Sequence, residues 1–106
     1  MLFRSKWLRK SVAQGNAMAQ FNLGACYANA NGVPKDFVEM VKWLRKAAEQ
    51  NYAEAQLKLG EAYGKGLGVP EDPTEAVKWW RKAAEQNNAE AQVKLGTAYQ
   101  IGRAHV

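Results

Sequence analysis

Chemistry in this chain would have to come from three kinds of residue cluster. The first sets cations beside indoles: Lys42-Trp43-Leu44-Arg45-Lys46 and Lys78-Trp79-Trp80-Arg81-Lys82, with a fainter copy in Lys6-Trp7-Leu8-Arg9-Lys10. Such a stripe can attract phosphate, and an exposed indole can stack on a base, so it admits nucleic acid or an anionic surface as an alternative partner. The tryptophans, however, fall at core spacing beside alanines, and cations near a helix C-terminus match its dipole; a solvated basic face is the default. The second cluster, Gly64-Lys65-Gly66-Leu67-Gly68, lacks the preceding strand and the lysine followed by serine or threonine that a phosphate-cradling loop needs. The third is the nucleophiles and metal ligands. His105 is the only histidine and Cys26 the only cysteine, no base stands at a recognisable spacing from a serine, and no carboxylates cluster. These residues predict no enzyme, no cofactor and no metal site, and Cys26 reads as a small buried thiol.

Composition sets the outer bounds. At 106 residues the chain is one domain at most. Its formal charge is +5, but Arg4 and Arg103 lie near the two ends, so the excess over the body is mild. No apolar run approaches the ~18 residues of a membrane helix, so no span is expected. A lone cysteine excludes an internal disulfide and leaves the compartment open, cytoplasmic or periplasmic and secreted.

What must position these side chains is a repeat. Residues 41–51 return almost unchanged as 77–87, 36 positions later, and units 17–52 and 53–88 align without a gap at 21 of 36 positions. A second half-unit, 6–16, precedes them and a first half-unit, 89–100, follows. A period of this length predicts an all-α fold, a solenoid of stacked antiparallel helix pairs. Residues 1–5 and 101–106 do not follow the repeat, and we expect both to be non-native tails on a fragment of a longer repeat protein whose true N-terminus lies elsewhere.

Each unit divides at a glycine- and proline-rich connector. Residues 53–63 hold Ala55, Leu59 and Tyr63 on one helical stripe. The poor helix former Gly60 recurs as Gly24 and Gly96 and is expected to admit a neighbouring tryptophan against the backbone. The connector 64–71 and its counterpart 28–35 break the helix. Asp72-Pro73 with Glu75, and Asp36 with Glu39, then open the second helix as N-caps. Val77, Trp80 and Ala84 share one side of it, with Trp79 and Ala83 beside them, and asparagine closes it.

Leu59-Gly60-x-x-Tyr63, Gly66-x-Gly68-Val69, Asp72, Ala76-x-x-Trp79 and Lys82-Ala83-Ala84 together resemble the Sel-one-like repeat, a relative of the tetratricopeptide repeat, over residues 6–100. Ala28 and Ala30 depart from the loop glycines of the later unit, Met40 from Ala76, and Leu44 from an aromatic, which leaves the shape of the first loop open. The resemblance implies a right-handed α-solenoid and a bacterial adaptor or scaffold that binds a protein or peptide on the concave surface formed by the first helices, either alone or as the non-catalytic repeat part of a larger enzyme. Positions there that differ between copies are the candidate partner contacts: Met18, Glu54 and Glu90; Asn22, Lys58 and Lys94; Ala25, Glu61 and Thr97. Because repeat arrays need polar caps, the isolated chain is also expected to be marginal or to self-associate end to end.

Overall fold

A computed structural model describes residues 15–30, 32 and 34–104, with side chains through residue 98. The half-unit predicted before residue 15, the first tail and His105 lie outside the described residues. Among the described residues five helices follow in order: α1 (Ala17–Asn29), α2 (Phe37–Glu49), α3 (Ala53–Lys65), α4 (Pro73–Ala84) and α5 (Ala89–Ala104). Packing runs between sequence neighbours, α1 on α2, α2 on α3, α3 on α4 and α4 on α5, which draws the chain out to 51 × 25 × 17 Å. This is the expected all-α helical-repeat solenoid.

The helix boundaries follow from local chemistry repeated at the same offsets. Asp36 Oδ1 accepts from the backbone N–H groups of Val38 and Glu39 at 3.0 and 3.2 Å, and Asp72 Oδ1 accepts from Glu75 N–H at 3.2 Å. Each satisfies donors that the first turn leaves unpaired. Asn16 and Asn88 do the same for α1 and α5, at 2.9 Å. Tyr52 stands at that position for α3 without a capping bond; its ring packs 5.5 Å from that of Phe21. Burial, and then the Glu54 carboxylate, raise its pKa above the ordinary 10.0. Asn51 and Asn87 close the second helices with φ of 67° and 65°.

The two connectors open and close alike despite their different residues. Ala30 takes φ 55° where Gly66 takes 70°, and each donates its N–H to the carbonyl four residues back. Asp36 N–H and Asp72 N–H then tie the connectors to Tyr27 and Tyr63 carbonyls at 3.0 and 2.9 Å. The departure at Ala30 therefore keeps the left-handed turn at this position and changes its cost. A left-handed alanine costs roughly 1–2 kcal/mol, part of which glycine returns as greater freedom of the unfolded chain. Ala30→Gly should accordingly raise stability by about 0.5–1 kcal/mol, read as a higher urea midpoint at unchanged slope.

The core gathers where units meet. Met40, Val41, Leu44, Ala47 and Ala48 of α2 pack with Ala55, Leu59 and Ala62 of α3 and with Trp79, while Leu57, Ala83 and Ala91 form a smaller cluster toward α5. Of the paired tryptophans, Trp79 is buried and Trp80 half-buried. A polar seam accompanies the core. Gln56, 1% exposed, donates to the Ala48 carbonyl at 3.1 Å and accepts from Gln86 Nε2 at 2.9 Å. One unit earlier Gln50 donates to Gln20 at 2.7 Å, and one unit later Gln92 donates to the Ala84 carbonyl at 3.3 Å. Each rung joins the end of a second helix to the start of a first helix, so the seam fixes the stacking of successive pairs.

Candidate functional site

Small residues leave space between α1 and α3. Ala25 and Ala28 of α1 and Ala62 of α3 face a groove of about 330 Å³ floored by Met40 and Leu44 of α2. Phe21, Phe37 and Leu67 complete its apolar wall, and Asn29, Lys58, Glu61 and Lys65 stand on its polar margin. Its volume lies at the low end of the about 300–1,000 Å³ usual for ligand sites, room for one or two side chains.

The margin is organised by charge. Glu61 Oε1 lies 3.3 Å from Lys94 Nζ, and Glu61 Oε2 lies 3.8 Å from Lys58 Nζ. One carboxylate thus answers two ammonium groups contributed by α3 and α5. Lys65 is exposed and forms no ion pair among the described residues. On the α2 side, Arg45 donates a hydrogen bond to the Tyr63 hydroxyl and sets its guanidinium 5.6 Å from the Tyr63 ring centroid, which anchors α3 to α2.

Of the nine candidate contact positions, the structure brings Ala25, Lys58 and Glu61 onto the groove and joins Lys94 to them through Glu61. Met18, Glu54, Glu90 and Thr97 are exposed and Asn22 is half-buried; none of these five lines the groove. Glu54 and Glu90 sit in first helical turns, where a carboxylate complements the helix dipole whether or not a partner is present. Phe21, Phe37 and Leu67 were absent from the expected contacts. Their signal in the sequence was an apolar side chain at a helix start or in a connector, which reads equally as packing.

The basic stripe has a different geometry from a stacking platform. Lys42 and Lys46 place Nζ 5.2 and 4.9 Å from the centroid of Trp43, and Lys78 and Lys82 stand 5.9 and 4.8 Å from that of Trp79. The lysines flank indoles that are packed to different degrees, Trp79 being 5% exposed and Trp43 half-buried. Lys42 and Lys78 also approach Glu39 and Glu75 at 4.0 Å. Cys26 is half-buried. Among the described residues no group of three potential ligands could hold a metal, and no helix is long and apolar enough to cross a membrane.

An open groove on an extended stack of helix pairs defines an α-solenoid of the kind that presents surface to other macromolecules. The Sel1 repeat model matches residues 17–52, 53–88 and 89–106, and the chain belongs to the Sel1 repeat family. Solved structures agree. A Sel1 repeat protein from Oxalobacter formigenes is 44% identical with a TM-score of 0.89, over 92% of this chain and 40% of that one. A protective antigen present in uropathogenic Escherichia coli strains, displaying an SLR fold, is 42% identical with a TM-score of 0.91, over 92% of this chain and 21% of that one. Cysteine-rich protein B of Helicobacter pylori is 28% identical with a TM-score of 0.81, over 85% and 68%. The chain thus spans less than half the length of the first two. No curated protein matches it. Sel1-repeat proteins are generally protein-interaction scaffolds, typically non-catalytic, and the family implies protein partners.

Proposed function

We propose that the chain is an adaptor that receives a peptide segment of a partner protein in the groove between α1 and α3. The observation that carries this reading is the groove itself, apolar within and charged at its margin. The groove combines apolar burial for affinity with a few placed polar groups for orientation. The same reading puts the groove on the concave side of the solenoid and leaves the basic stripe of α2 and α4 as a solvated face.

A displayed random-peptide selection on the immobilised protein tests this. Enriched peptides should bind the parent, lose binding to Ala25→Trp, in which an indole occupies the groove, and keep it with Lys78→Glu and Lys82→Glu together. Peptides that bind the parent and Ala25→Trp equally, or that depend on the lysines of α4, would move the binding surface to another face.

A further inference from the structure

Among the differences between the two units are two that reduce side-chain bulk along the groove. One repeat after Leu44 stands Trp80, and one repeat after Ala25 stands Glu61. The Trp80 indole lies so close to α3 that a Cβ added at Gly60 would stand 2.5 Å from its Nε1, and one added at Gly64 would stand 3.4 Å from its Cη2. It donates to the Leu57 carbonyl at 3.3 Å, and Lys94 Nζ lies 5.9 Å from its ring centroid. In the preceding unit the smaller Leu44 sits at this place and Ala25 sends no long side chain across it. The place that an indole fills in one unit is therefore only partly filled by Leu44 and Met40 in the other, and what remains has apolar walls.

The margin selects the charge of an occupant. Lys58 and Lys94 share the single carboxylate of Glu61, and Lys65 forms no ion pair among the described residues. A carboxylate arriving there meets unbalanced cations, whereas an ammonium group meets Lys65 and a glutamate already engaged twice. Resting on the reading of the chain as a peptide-binding adaptor, we infer that the groove takes an acidic peptide segment carrying one large apolar side chain. That side chain enters the space that Trp80 fills in the next unit, with Phe37 and Met40 beside it, and a flanking carboxylate lies against Lys65 and Lys58.

The test uses the full chain and three peptides followed by amide-shift titration: acetyl-Gly-Glu-Phe-Glu-Gly-amide, its analogue with alanine for phenylalanine, and its analogue with lysine for both glutamates. The phenylalanine peptide should shift the amides of Ala25, Ala28 and Ala62 saturably, and each analogue should bind at least about tenfold more weakly, the factor that follows from losing one buried aromatic or a set of charge contacts. Leu44→Trp sets an indole at the repeat position of Trp80, with Gly24 in place of Gly60, and should abolish the shifts. Lys65→Glu, an exposed change, should weaken the acidic peptide and strengthen the lysine one; should Leu44→Trp fail to fold, this reversal alone decides. If the lysine peptide binds the parent better and Leu44→Trp removes it, the groove reading stands and the acidic assignment falls. If the acidic peptide binds a folded Leu44→Trp as well as the parent, both fall, and if it does not bind the parent the acidic assignment falls while the peptide selection decides the groove.

Discussion

Gly68→Ala is expected to lower stability by about 3 kcal/mol or more, a drop in melting temperature of roughly 10–25 °C for a domain of this size. Two costs combine. Gly68 holds φ at 75°, a left-handed conformation that alanine adopts at roughly 1–2 kcal/mol. In addition, a Cβ there would overlap the Phe37 carbonyl oxygen and stand 2.5 Å from its carbon and 3.0 Å from Val38 N. Those are backbone atoms at the start of α2, and α2 cannot retreat without opening the groove and the core beneath it. Gly66→Ala provides the control. Its φ is 70°, but the nearest atom to an added Cβ is Glu71 Cβ at 3.4 Å, an ordinary contact. It should cost only the net conformational part, about 0.5–1 kcal/mol, the reverse of Ala30→Gly. If the two variants melt within a few degrees of each other, the connector of the second unit is not docked on the first as described.

That docking illustrates what was legible in the sequence. The period, the helix pairs and their caps follow from residues acting on their own neighbours: Asp36 and Asp72 at N-caps, Asn51 and Asn87 at helix ends. The approach of an indole to Gly60 was also legible, because a repeated glycine inside a helix needs a repeated reason. The seam of Gln20, Gln50, Gln56 and Gln86 was not. Glutamine on a helix surface reads as solvation, and only the azimuth of one unit against the next turns these side chains toward each other. The recurrence of glutamine at the same repeat positions was the available clue.

The groove was harder to read because it depends on a difference between copies. Leu44 in place of a tryptophan registered as a local departure, yet its consequence, an unfilled volume against α3, needs the relative placement of three helices. Variation between copies selected Ala25, Lys58 and Glu61, which line the groove, but also Glu54 and Glu90, whose carboxylates sit in their own first turns. Variability on a helix surface marks any position released from packing. It distinguishes a contact from a solvated residue only when a neighbouring helix leaves room beside it.

The same dependence on neighbours makes one repeat position give three outcomes. Gly24, Gly60 and Gly96 are equivalent in sequence, and alanine at any of them gains up to about 1 kcal/mol of helix propensity. At Gly96 no described atom lies within 4 Å of an added Cβ, so Gly96→Ala should keep that gain. At Gly24 the added atom would stand 3.3 Å from Leu44 Cγ and from the Met40 carbonyl oxygen, tight enough to cancel it. At Gly60 it would stand 2.5 and 2.6 Å from Nε1 and Cδ1 of Trp80 and 3.1 Å from the Ala76 carbonyl oxygen. The indole would have to move and surrender its hydrogen bond to Leu57, so overpacking of about 1–3 kcal/mol and a bond worth about 1 kcal/mol outweigh the propensity term. Gly60→Ala should therefore lose about 2 kcal/mol net, Gly24→Ala should be near neutral, and Gly96→Ala should gain. Urea melts of the three variants, followed by tryptophan emission, measure the order. Three equal shifts would mean that glycine at this position answers to the helix alone and that Trp80 does not lie against α3.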